Sequence, residues 1–124
     1  MRLLLDTHTL IWMATDPGSL SKPAAEALVA PTNDLFVSAV SGWEISIKRS
    51  RGRLVSPDVD AEMLARLRVI ELPITFEHAS AIGQLPDVHR DPFDRMLIAQ
   101  ALVERLVVVS RDRVFDGYPV ETLW

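Results

Sequence analysis

Aspartates stand at the ends of two apolar runs in this chain, where their carboxylates could bind a divalent metal ion. Asp6 directly follows the run LLL at 3–5, and Asp112 closes the segment VVVSRD at 107–112. If both runs are parallel strands, their carboxyl ends meet at one edge of a sheet and bring the two acids together. For either aspartate alone, the simpler interpretation is a helix N-cap, because aspartate is among the preferred capping residues.

The segment HRDPFDRMLIAQA, at 89–101, contains two aspartates with different predicted roles. Because Pro92 is favoured at the first helical position, Asp91 is predicted to be the N-cap and to need no further function. Asp94 then shares a helix face with apolar residues that point towards the core, namely Leu97, Ile98 and Ala101. A buried carboxylate without a partner is costly, so Asp94 is predicted to pair, to stay protonated or to bind a metal ion.

Glu44 also lies on an apolar face of a predicted helix, with Val40 and Ile47 as its neighbours. The alternative is a surface ion pair with Lys48, at a spacing worth only about 0.3–0.5 kcal/mol. The apolar neighbours weaken this alternative without removing it.

Four carboxylates from separate elements could therefore converge at one sheet edge: Asp6, Glu44, Asp94 and Asp112. Acids packed together raise one another's pKa, and a bound cation relieves the repulsion. Oxygen ligands suit Mg²⁺ or Mn²⁺, and one or two such ions could activate water against a phosphodiester. Asp116 is a possible outer partner, and Ser110 could hold a water or be only a turn residue.

Further residues near these acids have open roles. Arg111 and Arg113 could offset the negative charge or be flexible surface side chains. Arg95 could orient Asp94 or contact phosphate, although an ion pair with a neighbouring acid is at least as plausible. Trp12 is predicted to be a core or dimer-interface residue and not a base-stacking platform. The histidines are too scattered for a zinc site, and none is predicted to be the catalytic base.

Strands and helices must alternate along the chain to position these residues. Short apolar strands are predicted at 2–5, 35–37, 69–72, 106–109 and 120–123. Helices are predicted at 9–14, 19–30, 39–51, 60–68, 75–85 and 91–104, with a short one starting near 112. This order predicts an α/β fold, a three-layer α/β/α sandwich with a parallel central sheet of about five short strands.

Composition limits the class of protein. The 124 residues are predicted to form one domain over 1–124, and the absence of cysteine excludes disulfides and thiolate metal sites. A net charge of −4 argues against nucleic-acid binding by a broad basic surface. No apolar stretch is long enough to span a membrane, and Asp6 interrupts the only candidate signal peptide, which is therefore rejected. The lack of cysteine suits a reducing cytoplasm.

Four segments carry a resemblance to the PIN-domain ribonucleases, and most closely to the VapC-type toxins of bacterial toxin–antitoxin pairs. They are LLLDTHTLIW, VSAVSGWEISIK, DPFDRMLIAQA and VVVSRDRVFDGYPVETLW. The resemblance covers essentially the whole chain, in length and in element order. The segment LLLDTH alone would be weak evidence for the family, but the four segments together, in this order and spacing, are specific to it.

The resemblance implies a PIN-like nuclease domain that uses Mg²⁺ or Mn²⁺ to cleave single-stranded RNA. The catalytic and metal-binding role falls on Asp6, Glu44, Asp94 and Asp112. Asp6 and Asp94 would be the most direct ligands, while Asp112 is the least secure and has Asp116 as its rival. The resemblance also implies a cytoplasmic homodimer, inhibited by an antitoxin protein that lays a segment over the site.

Two other classes of function compete with this interpretation. A phosphoaspartyl protein of the receiver or phosphatase type would use Asp6 as nucleophile. The phosphatase pattern needs a second aspartate where this chain has His8, and a receiver needs a late lysine, yet Lys48 is the last. A non-catalytic PIN-like binding module is the second alternative, and it gives no reason for four convergent acids.

Overall fold

The computed structural model describes residues 1–124 and contains one five-stranded sheet in which every neighbouring pair of strands is parallel. The strands are β1 (Arg2–Leu5), β2 (Asp34–Ser38), β3 (Val69–Leu72), β4 (Val107–Val109) and β5 (Thr122–Leu123), in the spatial order β3-β2-β1-β4-β5. The predicted parallel sheet of about five short strands is confirmed.

Six α-helices connect the strands: α1 (Thr7–Thr15), α2 (Lys22–Val29), α3 (Ala39–Ser50), α4 (Ala61–Leu67), α5 (Phe76–Ile82) and α6 (Pro92–Glu104). Two short 3₁₀ turns occur at Pro17–Ser19 and Arg113–Gly117. The predicted helix over 75–85 was too long, because Thr75 is the N-cap and Gly83 is the C-cap of a helix that ends at Ile82. The last strand was also predicted too long, since only Thr122 and Leu123 pair with β4.

Alternate leucines of the central strand β1 build the two cores of the sandwich. Leu3 and Leu5 pack on one face with residues of α1 and α2, and Leu4 packs on the other with residues of α3 and α6. All three leucines are fully buried, which explains a strand sequence without polar alternation. The edge strand β3 departs from this pattern, because Ile70 and Glu71 are exposed.

The strand order places the functional crevice between β1 and β4. After β3 the chain crosses to the other side of β1, and ligand sites of open parallel sheets lie at this switch point, beyond the carboxyl ends of the strands. The order also differs from the 2-1-3-4-5 order of receiver domains, which counts against the receiver form of the phosphoaspartyl alternative. None of the helices has the length and apolar character needed to cross a bilayer.

Candidate active site

The structure brings the four predicted site acids together around one cleft of about 180 Å³ at the carboxyl edge of the sheet. Asp6 follows β1, Glu44 lies in α3, Asp94 lies in the first turn of α6, and Asp112 follows β4. The rest of the lining comes from Thr7, His8, Lys48, Asp91 and Leu97. The positions agree with the sequence analysis, while the roles of these acids stay predictions.

Asp6 is both a helix cap and a cleft residue. Its Oδ1 accepts a hydrogen bond of 2.8 Å from the Thr9 backbone N–H, which caps α1. Its Oδ2 accepts a hydrogen bond from the hydroxyl of Ser110. The capping interpretation is therefore correct for one oxygen, and the second oxygen is held by Ser110, which directly follows β4 at the switch point of the sheet.

Ser110 connects the two aspartates that follow the central strands. Its buried Oγ donates to Asp6 and accepts from the Asp112 backbone N–H at 2.9 Å. Asp112 also caps the 3₁₀ turn, because its Oδ1 accepts from the Val114 N–H at 3.0 Å. Asp116 lies in that turn, is exposed and does not line the cleft. The geometry thus favours Asp112 over Asp116 as the fourth acid.

Glu44 is buried, with only 7% of its surface exposed, although it also makes the ion pair considered from the sequence. The Thr7 hydroxyl donates to its Oε1 at 2.7 Å, and the Lys48 ammonium group donates to its Oε2. This hydrogen bond is the main reason that the pKa of Lys48 is raised above its ordinary value. Lys48 therefore holds a positive charge inside an otherwise acidic cleft.

Asp91 caps α6 as predicted: its Oδ1 accepts from the backbone N–H groups of Phe93, at 2.8 Å, and of Asp94, at 3.1 Å. It also lines the cleft, which the sequence analysis did not anticipate. The pKa of Asp94 is raised to about 6, first by burial and then by the nearby charges of Asp91 and Glu44, while a hydrogen bond with His89 opposes these effects. The predicted conflict between burial and ionisation at Asp94 is thus present in the structure.

His89 is the site residue that sequence reasoning missed. Its Nε2 lies 2.9 Å from Oδ2 of Asp94, and ligand atoms of His89, Asp91 and Asp94 all lie within 4.8 Å of one another. The available signal was its position two residues before the N-cap, where a turn can bring a side chain back onto the first turn of the helix. The spacing of histidines within one helix does not reveal this contact, because His89 lies in the loop before α6.

Arg95 holds the loop that leads into α6. Its guanidinium group donates to the backbone carbonyls of Ile82, at 3.2 Å, Pro86, at 3.1 Å, and His89, at 3.2 Å. The ion pair with a neighbouring acid considered from the sequence is absent, since the four ion pairs of the chain involve other residues. By fixing this loop, Arg95 positions His89 and Asp91 beside the cleft.

The capping role of Asp91 leads to a stability prediction. Asp91→Ala is expected to lower the free energy of unfolding by about 1 kcal/mol, because two N–H groups at the start of α6 lose their acceptor. Asp91→Asn should retain most of this energy, since asparagine caps helices about as well as aspartate. Urea unfolding of the two variants tests this, and equal losses for both would contradict the capping role.

The donor set of the cleft fits a hard divalent cation. The available donors are carboxylate and hydroxyl oxygens with the imidazole nitrogens of His8 and His89, and the chain has no thiol. Oxygen-rich sites of this type suit Mg²⁺ or Mn²⁺. The pKa of Asp94 is raised mainly by burial and further by the neighbouring charges of Asp91 and Glu44, and a bound cation would offset both effects.

Comparison with known proteins agrees with this geometry. The chain is similar to Ribonuclease VapC22 of Mycobacterium tuberculosis (strain ATCC 25618 / H37Rv), with 29% identity over 114 residues, which cover 90% of this chain and 87% of that protein. Among solved structures, it resembles VapBC2 from Rickettsia felis bound to a promoter DNA fragment, with a TM-score of 0.71, 14% identity, and coverage of 99% of this chain and 98% of the other.

A second structure, VapBC-1 from nontypeable Haemophilus influenzae, has a TM-score of 0.66 and 18% identity over 99% of this chain and 97% of the other. At such identities the structural likeness establishes the shared fold. The family model described as PIN domain matches residues 3–121, nearly the full length of the sequence. The chain therefore belongs to the PIN domain family.

Proposed function

We propose that this chain is a divalent-metal-dependent endoribonuclease that cleaves single-stranded RNA and acts as the toxin of a toxin–antitoxin pair. The observation that carries the proposal is the convergence of four carboxylates from separate elements on one cleft. A binding module or scaffold has no need for such an arrangement, because gathered acids repel one another and destabilise the fold. Membership of the PIN domain family and the similarity to a protein named as a ribonuclease support the same conclusion.

Mg²⁺ or Mn²⁺ would be held by the four predicted acids, namely Asp6, Glu44, Asp94 and Asp112. When bound, such an ion makes water more acidic and stabilises the negative charge that builds up during phosphodiester hydrolysis. Ser110 orients Asp6 and Asp112 through its hydroxyl group. Asp116 is assigned no direct part, because it lies outside the cleft.

Other residues of the cleft set the orientation and charge of these acids. Thr7 and Lys48 each hold one oxygen of Glu44, so this carboxylate is fixed before any ligand arrives. His89 fixes one oxygen of Asp94 in the same way. Preorganised groups of this kind reduce the rearrangement needed when charge develops in the transition state. These groups line a cleft of about 180 Å³, and we propose an extended single strand of RNA as its substrate.

The toxin role is supported by the names of the similar proteins. Two of the similar solved structures are described as VapBC assemblies, one of them bound to a promoter DNA fragment. We propose that this chain acts in the cytoplasm, as a homodimer that an antitoxin protein inhibits. Expression of the chain alone should arrest growth, and co-expression of a small DNA-binding protein encoded beside it should relieve the arrest. Growth arrest that persists in an Asp6→Asn variant would argue against a toxic nuclease activity.

Metal removal is the direct test of the enzymatic part of the proposal. Purified protein treated with EDTA should not cleave a fluorescent single-stranded RNA, and MgCl₂ or MnCl₂ added in excess should restore cleavage. Single-stranded DNA of the same sequence serves as the substrate control. Cleavage that continues at the full rate in excess chelator would exclude a metal-dependent mechanism.

A further inference from the structure

A second pocket, of about 580 Å³, opens directly beside the acidic cleft. Its lining consists of Asp6, His8, Trp12, Arg111, Asp112 and Arg113. Asp6, His8 and Asp112 line the acidic cleft as well, so the two spaces adjoin. A chain molecule bound in the cleft would therefore extend into a pocket that adds two arginines and an aromatic surface to the shared aspartates.

The aromatic side of this pocket is built around Trp12. The indole ring lies 5.7 Å from the His8 ring and 5.8 Å from the Trp124 ring, measured between centroids, and both pairs are tilted. Trp12 is half-buried and belongs to neither core cluster, while His8 is exposed. Trp12 therefore lies outside the core, one of its two predicted places, because it lines the pocket at the carboxyl edge of the sheet, and its place at a dimer interface stays a prediction.

The cationic side consists of two arginines without carboxylate partners. The four ion pairs of the chain leave out Arg111 and Arg113, although two aspartates line the same pocket. The guanidinium carbon of Arg111 lies 5.2 Å from the Trp12 ring centroid, a cation–π arrangement. Arg111 is thus held by an aromatic face, and its N–H groups stay available for an anion.

We propose that this pocket binds the nucleotide next to the scissile phosphate, with the base on the His8–Trp12 surface and the phosphate at Arg111 and Arg113. This inference rests on the proposed RNA cleavage. Aromatic faces and arginines lining a groove are the usual means of holding a single strand without reading its sequence. The two arginines also place positive charge beside the acidic cleft of a chain whose net charge is −4.

The experiment measures RNA binding in the Asp94→Asn variant, which is expected not to cleave the RNA during the measurement. Asp94→Asn protein is mixed with a fluorescein-labelled oligouridylate in MgCl₂, and anisotropy gives Kd. Adding Trp12→Leu or Arg111→Gln should raise Kd about tenfold, since stacking on one aromatic residue commonly contributes that much. Trp12→Phe should restore most of the affinity. Arg66→Gln, a change of the same charge at an exposed position on α4, should leave Kd unchanged.

The salt dependence of Kd gives a second readout that a merely structural role would not change. In Arg111→Gln, the loss of one phosphate contact should make the negative slope of log K against log salt shallower by about 0.7. The slope of Arg66→Gln should be unchanged. Unchanged Kd values in both pocket variants, or oligouridylate that does not bind the parent protein, would overturn the proposal. Failure of the proposed function would give a different result: the wild-type protein would leave the same oligouridylate and other single-stranded RNA intact in MgCl₂.

Discussion

Replacing Asp94 by asparagine is expected to reduce the rate of RNA cleavage by at least about a hundredfold while the chain still folds. Asparagine retains the shape of the side chain but removes a negative charge from the centre of the acidic cleft. Metal ions contribute several kcal/mol to phosphodiester hydrolysis, and each 1.4 kcal/mol corresponds to a factor of about ten in rate. Cleavage rates of the purified variant and the wild type in MgCl₂ measure the effect.

The same substitution should stabilise the metal-free protein at pH 8. The pKa of Asp94 is raised to about 6 in the folded protein, so the folded state keeps its proton to higher pH than the unfolded chain. Stability therefore falls as the pH rises from about 4 to 6, and the penalty is complete above 6. After discounting for solvent around a half-buried group, Asp94→Asn should gain about 1 kcal/mol at pH 8 and almost nothing at pH 4.

Asp116 provides the matched control, because it is an exposed aspartate a short distance along the chain from Asp112 that does not line the cleft. Asp116→Asn should cleave RNA at close to the wild-type rate and unfold at the same temperature. An Asp94→Asn variant with normal activity would show that the site has been assigned to the wrong acids. Loss of activity in Asp116→Asn instead would make Asp116, and not Asp112, the fourth acid.

Much of this arrangement could be predicted from local sequence. Continuous apolar runs predicted parallel strands, and the rule that ligand sites lie beyond their carboxyl ends located Asp6 and Asp112. The helical period located Asp94 and Glu44, because an acid on an apolar face conflicts with burial. These inferences depend only on spacing within one element and on the general geometry of parallel sheets.

The remaining features depend on contacts between distant segments. Arg95 fixes the loop before α6 through three carbonyl groups, and this loop brings His89 to Asp94. No periodic pattern contains this information, because the loop has no regular structure. The position of Trp12 outside the core could not be predicted for a similar reason. Its helix α1 faces both the core and the pocket, and the sequence does not show where one face ends.

Divalent-ion affinity is expected to fall by about tenfold for each unit of pH below 6, because an ion can bind Asp94 only after displacing its proton. Above pH 7 the carboxylate is ionised and the affinity should be nearly constant. Calorimetric titration of the wild-type protein with MnCl₂ between pH 5 and 8 measures this profile. Proton uptake by the buffer during the titration gives an independent count of the proton released.

Two variants separate Asp94 from its neighbour as the source of this dependence. Asp94→Asn should bind the ion more weakly at pH 8 and lose the steep fall below 6, because its amide does not titrate. If the pH dependence belongs to Asp94, His89→Gln should retain the loss of ion affinity at low pH. This loss should begin at a higher pH, because the hydrogen bond that lowers the pKa of Asp94 is weakened. A flat profile in His89→Gln would contradict Asp94 as the source of the pH dependence, because Asp94 is still present in that variant.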